Sequence, residues 1–245
     1  MAQHIGIVAC SAEGASLCYR TLCAEAEAVM GPHAHPEISL HSQSLADYVD
    51  CIGRNDWQGV GEIMLSSAKK LASIGAQFLI CPDNTIHQAL PLIESRSPIP
   101  WLHIAEVVAQ EAATRGFHRL GITGTRWLAE SNVYPEKLAA AGLGYLRPTE
   151  EESAEMNRVI MEELVPGNFQ PEAVDFFHKV IRRMKAEGCD AVVLGCTEIP
   201  LIMNDNNSPL PTLDSTRLLA RAALKWAVEG SNPVPSLHPL QSKSR

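Results

Sequence analysis

Positive charge is in short supply in this chain. Twenty lysines and arginines stand against 28 aspartates and glutamates, a formal net charge of −8. No basic stripe forms along it, which argues against nucleic acid as a partner. The sequence also lacks an apolar run of the roughly 18 residues that cross a bilayer, so no membrane partner is expected. The opening Met-Ala-Gln-His-Ile-Gly-Ile-Val has neither the basic nor the long apolar region of a secretory leader, and the expected location is the cytoplasm. There is no Cys-x-x-Cys pair, and the seven cysteines at 10, 18, 23, 51, 81, 189 and 196 are odd in number. That usage fits free thiols in a reducing compartment. His33-x-His35 has no nearby partner at ligand spacing, so no metal is expected. Gly6 and Gly14 lie too far apart for a dinucleotide fingerprint, and no cofactor is expected.

What the chain does have is 245 residues, enough for one large or two small domains, and an ordinary 46 % of hydrophobic residues. Two stretches resemble each other, Gly75-Ala-Gln-Phe-Leu-Ile-Cys-Pro-Asp83-Asn84-Thr85-Ile-His87 and Gly188-Cys-Asp-Ala-Val-Val-Leu-Gly-Cys196-Thr197-Glu198-Ile-Pro200. In each, a helix-ending glycine leads into an apolar run of strand length and then a polar turn. A shift of 113 positions sets Asp83 on Cys196, Asn84 on Thr197 and Thr85 on Glu198. Ile5-Gly6-Ile7 matches Leu120-Gly121-Ile122 at a shift of 115, and Ile99-Pro-Trp-Leu-His103 matches Leu210-Pro-Thr-Leu-Asp214 at 111. The three shifts keep their order, which points to a duplication.

Strands are read at 4–10, 37–41, 78–81, 98–103, 119–123, 144–147, 191–194 and 210–214. Helices are read at 17–30, 56–74, 84–93 with Asn84 as cap, 104–115, 132–141, 150–164, 171–187 and 215–228. The fold class is α/β, two pseudo-symmetric three-layer α/β/α domains, each with a four-stranded parallel sheet, and the active site in the cleft between them. The first lobe takes residues 1–103 plus 215–230, the second 104–214, and 231–245 form a mobile C-terminal tail. Asp83 and Cys196 then sit at the carboxyl ends of equivalent strands, where open parallel sheets bind ligands. Ser11-Ala-Glu-Gly14-Ala-Ser16 reads as a small-residue turn from which Ser11 could touch a ligand at a helix N-terminus.

With these residues in view, the chain resembles the cofactor-independent Asp/Glu/hydantoin racemase superfamily from Ile5 to about Val228. The matching residues are His41-Ser42, Gly75-Ala76, Asn84-Thr85-x-His87, Ile99-Pro-x-Leu-His-Ile104, Gly124-Thr125, Tyr134, Glu163-Leu164, Leu194-Gly-Cys-Thr-Glu-Ile199 and Asp214-Ser-Thr216. The resemblance implies two pseudo-symmetric lobes, a homodimer, and no pyridoxal or metal. It also implies two cysteines that act on opposite faces of a carbon beside a carboxylate. Here the first cysteine is replaced by Asp83, with Cys81 two residues earlier. Val165 stands where some aspartate-specific relatives carry lysine, which leaves aspartate itself in doubt as substrate.

The expected catalytic pair is therefore Asp83 and Cys196, with a helix dipole after Cys196 favouring its thiolate. The expected substrate-binding residues are Ser11, Asn84, Thr85, Thr125, Arg126, Thr197 and Glu198. Arg126, and more weakly Arg54, could hold a second carboxylate. Glu198 either orients Cys196 or caps its helix. His41, His87 and His103 are read as structural. The expected function is an amino-acid racemase or epimerase acting on a small carboxylate-bearing substrate. The alternatives are a superfamily isomerase, decarboxylase or lyase using Cys196 alone, and a binding protein without turnover.

Overall fold

The computed structural model describes residues 1–234. Strand β1 (Ile5–Ala9) is apolar and wholly buried, as parallel strands covered on both faces must be. Ser11 follows and caps α1 (Ala12–Met30), its hydroxyl accepting the Gly14 N–H. The small residues read as a turn are thus the first turn of the helix. The lobe continues through β2 (Ile38–Ser42), α2 (Leu45–Gly53), α3 (Trp57–Ser73), β3 (Phe78–Ile80), a 3₁₀ helix (Thr85–Ala89), α4 (Leu90–Ile93) and β4 (Trp101–Leu102). The second lobe runs through α5 (Ile104–Thr114), β5 (Arg119–Thr123), α6 (Arg126–Glu130), α7 (Val133–Ala140), β6 (Gly144–Leu146) and α8 (Glu150–Arg158). A π-helical stretch (Val159–Leu164), α9 (Pro171–Ala186), β7 (Ala191–Leu194) and β8 (Thr212–Asp214) complete it, and α10 (Ser215–Glu229) follows.

The two sheets repeat one topology. Their strand orders are β2-β1-β3-β4 and β6-β5-β7-β8, every pair parallel. This is the duplicated α/β arrangement that the sequence shifts predicted. One buried cluster runs through both lobes: Ile5, Ile7 and Phe78 on one side, Leu120, Ile122 and Val193 on the other, with α5 and α10 between them. Trp226 of α10 stacks on Phe78 with ring centroids 4.4 Å apart. The lobes are therefore fused through a common core, and two further clusters fill the outer layers.

Four local readings need correction. Residues 45–53 form α2, which the sequence reading left out although Leu45, Tyr48, Val49 and Ile52 have helical spacing and Ser44 precedes them. Asn84 has no capping bond; Asp83 takes that part, its Oδ1 accepting the Ile86 N–H at 3.0 Å. The helix from Glu150 does not run uniformly to Leu164 but widens to π at Val159. Val234 is buried against the common core, so the chain stays anchored past 231. Positions 235–245 of the expected mobile tail lie outside the described residues.

Candidate active site

The carboxyl ends of the central strands converge on one narrow cavity of about 80 Å³. Asp83 and Cys196 both line it, as do Ser11, Asn84, Thr85, Thr125, Thr197 and Glu198. Arg126 does not. Its side chain is 54 % exposed, reaches toward Glu130 and lies over the Trp127 ring, because the first helical position of α6 points away from the cleft. Arg54 pairs with Asp50 on the surface. Cys81 is fully buried in the outer core of the first lobe and is not among the residues that line the cavity.

Strand register explains the placement. Ile5, Gly6 and Ile7 of β1 pair with Phe78, Leu79 and Ile80 of β3. Continued three residues, that register sets Cys10 beside Asp83. In the second lobe Ile122 pairs with Val193, and the same continuation sets Thr125 beside Cys196. Cys10 lines the cavity beside Asp83. The sequence reading missed this placement. The signal was available, because Cys10 and Thr125 are separated by the same 115 positions as the strands that carry them.

The electrostatics of the two walls differ. The Cys196 thiol donates to Glu198 Oε2 at 2.9 Å, and the Thr197 hydroxyl donates to the same oxygen at 2.8 Å. Glu198 makes no capping bond, so of its two expected roles it holds the thiol. Burial, then the Glu198 charge, push the Cys196 thiol well above its ordinary range. The expected dipole effect does not overcome this, since only a three-residue 3₁₀ helix (Ile199–Leu201) follows. The Asp83 carboxyl is also shifted upward, chiefly by burial and further by Glu198, while the Ile86 and Thr85 N–H groups and the Cys10 thiol pull it down.

Hydroxyls and an amide join the walls. Thr85 Oγ1 lies 2.9 Å from Thr125 Oγ1, and Ser11 Oγ lies 3.4 Å from Thr197 Oγ1. Asn84 donates to Ser215 Oγ at 3.0 Å and accepts from the Tyr134 hydroxyl at 2.7 Å. Its amide is thereby engaged in joining the 83–85 turn to α7 and α10. Gly14 admits the close approach of α1, since a Cβ there would meet Thr197 Cγ2 at 2.6 Å and the Pro82 carbonyl at 2.7 Å. The histidines are structural, as expected. His87 Nδ1–H donates to the Asp83 carbonyl at 2.6 Å while Nε2 accepts the Ile104 N–H at 3.3 Å, which fixes a neutral tautomer. His103 accepts the Ala105 N–H and so caps α5, and His41 bonds Ser67. Among the described residues no group of three His, Cys, Asp or Glu side chains is placed to hold a metal ion, and no helix is long and apolar enough to cross a membrane.

Known proteins are similar to this chain in sequence and fold. The chain is 22 % identical over 190 residues to the broad specificity amino-acid racemase RacX of Bacillus subtilis (strain 168), covering 78 % of this chain and 81 % of that one. A crystal structure of a proposed Asp/Glu racemase from Yersinia pestis superposes with a TM-score of 0.85 at 28 % identity, covering 92 % of this chain and 99 % of the other. An aspartate racemase homologue from Pyrococcus horikoshii OT3 gives 0.80 at 26 % identity, with 93 % and 100 % covered. The model of the Asp/Glu/hydantoin racemase family matches residues 6–223, and the chain belongs to that family.

Proposed function

We propose that the protein is an amino-acid racemase or epimerase that inverts a carbon next to a carboxylate, with Cys196 and Asp83 on opposite faces of that carbon. The observation that carries this reading is that the two groups, from equivalent strand ends of duplicated lobes, line one cavity. Glu198, hydrogen-bonded to the thiol, accepts its proton and leaves the thiolate. The thiolate takes the α-proton: the C–H bond breaks, an S–H bond forms, and the electron pair moves into the carboxylate as an enediolate. The Asp83 carboxyl, whose pKa burial raises, delivers a proton in its acid form to the far face and completes inversion. Hydroxyls of Ser11, Thr85, Thr125 and Thr197 hold the substrate carboxylate and spread the developing charge.

The pair is chemically unequal. A free thiol is the stronger base by roughly 4–5 pKa units. Two enantiomers have an equilibrium constant of one, so kcat/KM must be equal in both directions. The inequality therefore appears as kcat and KM changing together between enantiomers.

The test is solvent exchange at the α-carbon, followed by NMR in heavy water alongside chiral analysis. Cys196→Ala should lower both exchange and inversion by at least about 10²–10⁴-fold, the usual worth of a positioned acid or base. Asp83→Asn should lose inversion while Cys196 still exchanges the proton on its own face. Full inversion in either variant contradicts the reading. Carbon dioxide release by wild-type protein would instead assign one-face chemistry to Cys196 alone.

A further inference from the structure

The cavity that holds Asp83 and Cys196 has two unlike parts. Its floor carries the hydroxyls and the two carboxyls. Its mouth is apolar: α2 contributes Leu45, Val49 and Ile52, and the second lobe contributes Trp127, Met161 of the π-helical stretch and Val165 just beyond it. Leu45, Val49 and Val165 are 38 %, 42 % and 39 % exposed. These large apolar groups line one cavity and keep part of their surface open to it. A π-helical widening is itself a feature found often at functional sites.

Among the described residues no lysine, arginine or histidine lines this cavity. The arginines on the elements around it are engaged elsewhere, Arg54 with Asp50, Arg126 toward Glu130, and Arg158 with Glu155 and Glu163. Asp83 and Glu198 are the carboxyl side chains that line the cavity.

We infer that the substrate is an α-amino acid with a neutral, apolar side chain, of the leucine or methionine kind, and not a dicarboxylic acid. This rests on the acid/base reading above and names the substrate class of that site. The Glu198 carboxylate attracts the α-ammonium, and the hydroxyls meet the α-carboxylate. The side chain must then leave through the apolar mouth. A second carboxylate there would lose its hydration against hydrocarbon, with no cation to replace it. An apolar side chain gains by burial roughly tenfold to a hundredfold in affinity.

Calorimetry on the Cys196→Ala protein reads this without any dependence on turnover. L-leucine and L-methionine should bind at least tenfold tighter than L-glutamate and L-aspartate. Val49→Lys, at an exposed position on the rim, should narrow or reverse that gap and should shift wild-type exchange kinetics in the same sense. Glutamate or aspartate binding as tightly as leucine would overturn the inference and leave the acid/base reading standing. Absence of binding by all four, together with no α-proton exchange by wild-type protein, would sink both.

Discussion

Glu198 acts on Cys196 in two opposing ways. It accepts the thiol proton at 2.9 Å, yet its negative charge holds the thiol pKa up. Burial does most of the raising, so removing the charge relieves only part of it. Glu198→Gln should therefore make Cys196 more reactive toward iodoacetamide at pH 8, by several-fold, while lowering turnover, because the amide cannot take the proton. Alkylation of the Cys196 peptide followed by mass spectrometry, beside the exchange assay, separates the two effects. A slower alkylation would show that Glu198 is not the charge restraining this thiol. At this scale the sequence was informative wherever residue type and strand position coincide, as for Asp83 and Cys196. Side-chain direction was beyond it. Arg126 follows a cavity residue directly but starts a helix whose first position turns outward. Asn84 was legible as a member of the site but not as the residue whose amide joins α7 and α10 to it.

Among the elements, the strands were legible and the cleft walls were not. Apolar runs between glycines and polar turns locate the central strands, because parallel strands buried on both faces leave a continuous signal, while the half-exposed edge strands β2 and β6 were read from their flanking turns. The short helix α2 carries a helical spacing at Leu45, Tyr48, Val49 and Ile52 that the reading passed over, and the widening at Val159 lies inside a helix whose spacing does not announce it. Both line the cavity. The first turn of α1 is a third case. Its small residues suggested a ligand contact, and they also serve packing, since Gly14 lets the turn approach Thr197 and the Pro82 carbonyl. Gly14→Ala adds one methyl group between two walls that meet at the active site. The cost should be about 1–3 kcal/mol of stability, with a larger loss of exchange activity because Thr197 and the 82–83 backbone must move. Urea titration and the exchange assay on the same preparation check this. An unchanged rate with unchanged stability would mean that the approach of α1 is not needed.

The molecule as a whole is two copies of one topology that share a core, and its pH response follows from what the seam between them contains. His87 sits there with 1 % exposure, bonded to the Asp83 carbonyl and to the Ile104 N–H at the start of α5. Burial lowers its pKa to about 4, and His103, in edge contact at 4.7 Å, is lowered as well. An unfolded histidine titrates near 6.5. Between about pH 4 and 6.5 the unfolded chain therefore binds protons that the folded chain refuses, so stability falls as pH falls through that window. For His87 alone the loss is about 3 kcal/mol. Asp83 works the other way. Its raised pKa means that its proton stabilises the folded state at low pH, a contribution lost as pH rises through the folded value. One carboxyl offsets part of two histidines, and the net direction is acid destabilisation. Urea midpoints for wild-type protein should drop between pH 6.5 and 4. His87→Gln, which keeps a donor and an acceptor but cannot take a proton, should flatten that drop by about 3 kcal/mol. An equal slope in the variant would move the acid sensitivity to His103 or to the carboxylates, and the seam would then not be where the fold senses pH.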